Sequence, residues 1–189
     1  MESFNDGSMR AKHLFSKLEE YMAEIDVKPI AMGSSRIAYR LNKDYVIKLA
    51  MNNIGVSQNL NEAYYFKLNN SVFNRNLSCS KKGYWVIAEY AEPVTTEKIR
   101  KIFGCSKGQL ENMIGHVVGN CKFQNKTVKD LYNRKYRNRK FFKDLRKLPQ
   151  MGLIPDDYAG FWGGNYGISK KGLVLLDGGL TAETAQLYY

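Results

Sequence analysis

The sequence predicts an α+β fold in which strands come first and helices second. From Lys28 to Tyr90, short apolar runs alternate with turn residues, the pattern of antiparallel strands. After Glu92-Pro93, longer segments with helical apolar spacing take over. Near the C-terminus, Tyr166 to Ser169 and Leu173 to Leu176 flank Lys170-Lys171-Gly172, a returning hairpin. The change at Glu92-Pro93 predicts two parts, residues 1–91 and 92–189.

Residues 9–25 read as an amphipathic helix with Ala11, Leu14, Phe15, Leu18, Met22 and Ile25 on one stripe. Lys28 to Leu41 reads as strand, small-residue turn (Gly33-Ser34-Ser35) and strand, and 45–50 as a third strand. Residues 57–68 read as a helix that buries Leu60, Ala63, Tyr64 and Leu68. Leu77 to Ser80 and Tyr84 to Tyr90 form a hairpin around Lys81-Lys82-Gly83. Thr95 to Phe103 is helical and stops at Gly104. Ser106-Lys107-Gly108-Gln109 is a capping box for a helix to about Val118. A weaker start signal, Thr127-Val128-Lys129-Asp130, opens a last helix that ends near Pro149 to Gly152; its apolar stripe falters between Tyr132 and Phe141, which allows a break near Asn133 to Asn138.

A chain of 189 residues with 44% hydrophobic content suits one domain or two small lobes. No apolar run approaches the roughly 20 residues of a membrane span, and the N-terminus lacks the pattern of a secretory signal. Cys79, Cys105 and Cys121 are odd in number and not in metal spacing, so free, buried thiols in a reducing cytoplasm are expected. His13 and His116 lie in different regions and add no metal signature; a serine-hydrolase elbow and a Walker loop are missing too.

Net charge is +11, of which +9 falls between Lys122 and Lys147. Arg134, Lys135, Arg137, Arg139, Lys140 and Lys143 make this segment a candidate surface for nucleic acid or an acidic protein. Phe123, Tyr132, Tyr136, Phe141 and Phe142 interleave with the charges. They are of a kind that stacks on bases, but their helical spacing favours core packing.

Four candidates for chemistry stand out. The turn at Gly33-Ser34-Ser35 brings backbone N–H groups where a phosphate can approach, or is an ordinary hairpin turn. Lys48 sits mid-strand in Val46-Ile47-Lys48-Leu49-Ala50 and calls for an anion if it points inward; Glu62 on the next helix is the candidate partner. Alternation that turns Lys48 outward to solvent is the other reading. Asn165 and Asp177, at the two ends of the C-terminal hairpin, are oxygen donors suited to Mg2+, or turn residues.

In this order the pieces resemble the protein-kinase-like superfamily. They are most similar to small kinase-like proteins of bacteriophages, through Gly33-Ser34-Ser35-Arg36-Ile37 and Leu176-Asp177-Gly178-Gly179-Leu180. The resemblance covers roughly residues 28–181 and rests on order and spacing. It implies a two-lobed fold with a truncated C-lobe, holding ATP with Mg2+ between the lobes. Gly33, Ser34 and Ser35 would cover the phosphates, and Lys48, paired with Glu62, would contact them. The backbone from Glu89 to Ala91 would receive adenine, Asn165 and Asp177 would hold the metal, and Asp157 would be the catalytic base.

The sequence departs from the family pattern in several places. Seven residues separate Asp157 from Asn165 where the family has four, no His-Arg-Asp triplet exists, and Asp177 is followed by Gly178-Gly179. The chain ends 12 residues after Asp177, which leaves no room for a peptide-docking segment. The expected function is an ATP-dependent phosphotransferase acting on an unspecified acceptor, with a protein hydroxyl favoured. The alternative is an inactive kinase-fold protein that uses its basic helix to grip nucleic acid or an acidic host protein, in the cytoplasm of an infected bacterium if phage-encoded.

Overall fold

A computed structural model describes residues 5–68, 70–153, 164–177, 181, 183 and 186. The α+β class is as the sequence predicts: helices combined with two antiparallel sheets. The chain divides into two compact units. The first comprises Met1–Leu68, Arg75–Tyr90 and Glu183–Tyr189; the second comprises Asn69–Asn74 and Ala91–Ala182.

The first unit is built on a five-stranded sheet: β1 (Pro29–Met32), β2 (Arg36–Arg40), β3 (Tyr45–Ala50), β4 (Asn76–Cys79) and β5 (Trp85–Glu89). Its order is β1-β2-β3-β5-β4, with every neighbour antiparallel. Successive strand residues face opposite sides, so the sequence sorts itself across the sheet. Ile37, Tyr39, Ile47 and Leu49 share one face and form a core with Met22, Phe15 and Leu18 of helix α1 (Asn5–Glu24). Ile25, expected in the same stripe, lies beyond the helix end and is exposed. Arg36, Val46 and Lys48 fall on the opposite face.

Helix α2 (Asn53–Lys67) covers that second face. It starts four residues earlier than expected because the Asn52 side chain caps it, accepting from the Gly55 N–H. Its buried side is also not the predicted one. Leu60, Tyr64 and Leu68 are exposed, whereas Gln58, Asn59, Glu62 and Tyr65 are buried. The helix turns a polar stripe inward because the sheet face beneath it carries Arg36 and Lys48.

The second unit begins with β6 (Glu92–Pro93), an edge strand where the missing proline N–H costs nothing. Helix α3 (Thr96–Phe103) is capped by Thr95 and ends on Gly104 in the left-handed region. Helix α4 (Lys107–Val117) opens with the predicted capping box of Ser106 and Gln109. Helix α5 (Lys126–Leu131) starts from Asn125 rather than from Thr127, since the Asn125 side chain accepts from the Val128 N–H. The faltering stripe is a π-helical turn, Tyr132–Tyr136, followed by α6 (Lys140–Leu145) and a 3-10 turn, Leu148–Met151. Hairpin β7 (Tyr166–Ser169) and β8 (Gly172–Leu175) completes a three-stranded sheet in the order β6-β7-β8.

The core of this unit holds Ile99, Leu110, Met113, Ile114, Tyr136, Phe142, Leu145 and Leu148. Asp144 is buried among them and takes hydrogen bonds from the Ser71 N–H at 2.9 Å and the Ser71 hydroxyl at 2.8 Å. All three cysteines are free, but only Cys105 is buried; Cys79 is half-buried and Cys121 exposed. No helix among the described residues is long and apolar enough to cross a membrane.

Candidate functional site

In the first unit, Lys48 is inward. Its Nζ donates to Glu62 Oε2 at 2.8 Å, and both side chains are buried. Antiparallel register places Lys48 opposite Ala38 on β2 and Val86 on β5, so the lysine stands at the centre of the sheet. Glu62 has a second cation that sequence reading missed. Arg36 Nη2 lies 2.7 Å from Glu62 Oε1, close in distance though not aligned as a hydrogen bond. Arg36 also donates to Asn59 Oδ1 at 3.2 Å, and Asn59 donates in turn to the Gly83 carbonyl at 2.8 Å. One carboxylate thus faces two buried cations.

The turn at Gly33-Ser34-Ser35 is closed by the Gly33 N–H donating to the Arg36 carbonyl at 2.9 Å. Gly33 and Ser34 are exposed. Ser35 is buried and donates its hydroxyl to Gln58 Oε1 at 2.6 Å. Its carbonyl accepts from the Met51 N–H at 2.8 Å, and the Ser34 carbonyl accepts from Asn52 at 3.1 Å. The turn is therefore fastened to the start of α2, with only its first two residues facing solvent. Gly55 lets the helix approach this closely: a Cβ there would fall 2.1 Å from the Ser35 carbonyl oxygen.

At the end of β5, two backbone donors of the expected adenine segment are spent within the unit. The Glu89 N–H donates to the Arg75 carbonyl at 2.8 Å and the Tyr90 N–H to the Asp44 carbonyl at 2.7 Å. Glu89 also pairs with Arg75 through side chains at 3.3 Å. Ala91 belongs to the second unit and is buried.

In the second unit, the hairpin brings Asn165 and Asp177 to one end. Tyr166 pairs with Leu175, and one rung further the Leu176 N–H donates to the Asn165 carbonyl at 2.6 Å. Asp177 follows directly and is exposed, while Asn165 is half-buried. Two hard oxygen donors on adjacent chain ends fit Mg2+, which binds through one or two protein groups while keeping waters and phosphates. No group of three or more His, Cys, Asp or Glu side chains suited to a metal occurs among the described residues. Asp157 lies outside the described residues.

The basic residues Arg134, Lys135, Arg137, Arg139, Lys140 and Lys143 are all exposed, but they do not form one uniform face. Lys135 donates to the Phe103 carbonyl at 3.0 Å, Lys140 pairs with Asp144 at 2.5 Å, and the Arg139 guanidinium lies 4.9 Å from the Tyr136 ring centroid. Tyr132, Tyr136 and Phe142 pack in the core, as their spacing predicted, while Phe123 and Phe141 are half-buried.

No family model matches the chain, and no curated protein matches it. Among solved structures it is similar to an APH(2")-IIa ternary complex with streptomycin and ATP, at 13% identity and a TM-score of 0.39, over 84% of this chain and 68% of that one. It is also similar to SAICAR synthase from Saccharomyces cerevisiae complexed with SAICAR, at 12% identity and a TM-score of 0.41, over 83% and 74% of the two chains. A further SAICAR synthase structure gives 13% identity and a TM-score of 0.38, over 83% and 74%.

Proposed function

We propose that this chain is a small kinase-like phosphotransferase that uses ATP and Mg2+. The observation that carries the reading is the buried Lys48–Glu62 pair, a strand lysine held by a helix carboxylate at 2.8 Å. Glu62 fixes the direction of the Lys48 Nζ, with Arg36 on the other carboxylate oxygen at 2.7 Å, and a lysine so held is the kind of group that contacts phosphate oxygens. Gly33 and Ser34, both exposed, are the residues proposed to lie over the phosphates. The carbonyl and amide groups around Glu89 to Ala91 are the proposed adenine edge, with the Glu89 and Tyr90 N–H groups already committed.

Asn165 and Asp177 are the proposed metal-holding residues. When bound, Mg2+ would supply charge neutralisation at the phosphates. Catalysis in this class comes from positioning and electrostatic stabilisation more than from covalent chemistry by the protein. Asp157 is the residue proposed to take the acceptor's proton, as the sequence order suggests. The acceptor is a hydroxyl group, with a protein side chain favoured.

The test is a pair of measurements on the purified protein. Thermal unfolding with Mg-ATP at about 100 times its Kd should show a gain of roughly 2.7 kcal/mol. Transfer from radiolabelled ATP should be present in the native chain and lost in Asp177→Ala and Lys48→Ala. No thermal shift at millimolar Mg-ATP, or undiminished transfer by Asp177→Ala, would sink the reading. A shift without transfer would instead assign a nucleotide-binding protein that has lost the chemistry.

A further inference from the structure

The second unit contains a cavity of about 470 Å³ that the phosphotransferase reading does not use. Three aromatic rings (His116, Phe123, Tyr132), three cations (Lys129, Arg137, Arg146) and Asn133 line it. The volume lies within the range typical of small-ligand pockets, about 300–1,000 Å³.

The π-helical turn shapes one wall. Lys129, Asn133 and Arg137 recur at intervals of four residues along α5 and the turn after it. In a regular α-helix of 3.6 residues per turn such a column drifts around the axis. Here the Arg137 N–H reaches back five residues to the Tyr132 carbonyl at 2.9 Å, which widens the turn and keeps Arg137 in the cavity with Asn133.

Among the described residues no carboxylate pairs with Lys129, Arg137 or Arg146. Arg146 is held by neutral groups: it donates to the Tyr132 hydroxyl and, at 3.0 Å, to the Arg137 carbonyl. Its guanidinium lies 6.0 Å from the Tyr132 ring centroid. The carboxylate of α6, Asp144, is taken by Ser71, Lys140 and Lys147.

Two of the three rings, His116 and Phe123, are stacked and only partly covered, while Tyr132 is buried. The His116 and Phe123 ring centroids are 3.7 Å apart at 30°, and Phe123 lies 5.4 Å from Tyr132. His116 and Phe123 are half-buried. Flat rings beside unpaired cations and one exposed amide match an unstacked base carrying phosphates. An acidic peptide would use the charges but not the rings, and a duplex hides its base faces. Exposed Arg134 and Lys143 in the same basic segment add cations to those that line the cavity, which favours a polymer over a single nucleotide.

We propose that this cavity binds single-stranded nucleic acid, with a base against His116 and Phe123 and neighbouring phosphates on Lys129 and Arg137. The proposal is independent of the ATP reading, and its test contains neither ATP nor Mg2+. The probe is a short fluorescein-labelled single-stranded RNA of mixed sequence, titrated with the full chain in EDTA and followed by anisotropy. With phosphate contacts at Lys129 and Arg137, each contributing about 0.7 to the salt slope of a single strand, affinity should fall roughly 7-fold between about 50 and about 200 mM salt. Arg137→Ala should weaken binding and lower the salt slope by about 0.7. Phe123→Leu, which keeps apolar packing but removes the flat face, should weaken binding about tenfold with the slope unchanged, and Phe123→Trp should restore it. Circular dichroism checks that each variant is folded.

Four results would overturn the proposal: no binding at low salt, an unchanged affinity in folded Phe123→Leu, duplex DNA bound as tightly as the single strand, or competition by polyglutamate equal to that by RNA. Nucleoside monophosphate bound as tightly as the oligomer would reassign the cavity to a free nucleotide.

Discussion

Lys48 and Glu62 lie 14 residues apart in sequence and 2.8 Å apart in space, one on the central strand and one on the helix that covers it. Arg36 closes on the other carboxylate oxygen at 2.7 Å, so the three charges form one buried set. Removing Glu62 takes its carboxylate away from both Lys48 and Arg36, whereas removing one cation leaves a pair. Glu62→Ala should therefore cost about 3–5 kcal/mol in urea unfolding. Lys48→Met should cost less, about 2 kcal/mol. Equal costs would mean that Arg36 and Glu62 do not form a stable pair of their own.

Two glycines in helices should respond to alanine with opposite sign. Helix propensity alone favours alanine over glycine by about 1 kcal/mol. Gly108 in α4 has no atom within 4 Å of the new methyl group, so Gly108→Ala should gain several tenths of a kcal/mol. At Gly55 the methyl would meet the Ser35 carbonyl oxygen at 2.1 Å and the Ala50 Cα at 3.1 Å. Those are backbone atoms, so the helix must move off the sheet. Gly55→Ala should lose about 2 kcal/mol or more by the same denaturant measurement.

What the sequence disclosed depended on how local the cause was. Strand β3 matched its predicted limits because its apolar run is bounded by turn residues on the spot. Thr95, Gly104 and the Ser106–Gln109 box were legible for the same reason, since a cap is settled within four residues. The inward face of α2 was not. Leu60, Tyr64 and Leu68 make a plausible stripe, and only the charged sheet face beneath explains why Gln58, Asn59 and Glu62 win. Arg36 was likewise invisible as a site residue, because its partner is set by the strand's register and not by its neighbours. The Lys48–Glu62 pairing was legible because strand, turn and helix follow one another directly. Asn52 and Asn125 carried a readable signal, an asparagine three residues before a helix N–H.

Asp144 should govern part of the acid sensitivity. Burial alone would raise its pKa, but hydrogen bonds from Lys140, Ser71 and Lys147 outweigh burial and hold the carboxyl well below the usual carboxylate range. A carboxyl that holds its proton less tightly when folded contributes its full stability above the unfolded value, near pH 4. That contribution is lost as pH falls from there through the lower folded value. Asp144→Asn should cost about 2 kcal/mol at neutral pH and flatten the stability curve below about pH 4. An acid limb identical to that of the native chain would remove Asp144 as its source.

The three thiols should react in a fixed order, and that order reports on both units. Cys121 is exposed and should be alkylated first by iodoacetamide near neutral pH. Cys79 is half-buried; burial pushes its thiol up, the Glu62 carboxylate adds to this, and Lys67 opposes it. Cys105 is buried, and burial pushes its thiol up against the opposing influence of Tyr136, Lys135 and Arg139. Only the thiolate attacks, so both should lag behind Cys121. Because the Glu62 carboxylate pushes the Cys79 thiol up, Glu62→Gln should speed labelling of Cys79 and leave Cys105 unchanged. Peptide mapping after timed alkylation reads all three sites in one experiment. Acceleration at Cys105 as well would show that the substitution had loosened the whole chain and not only the charge beside Cys79.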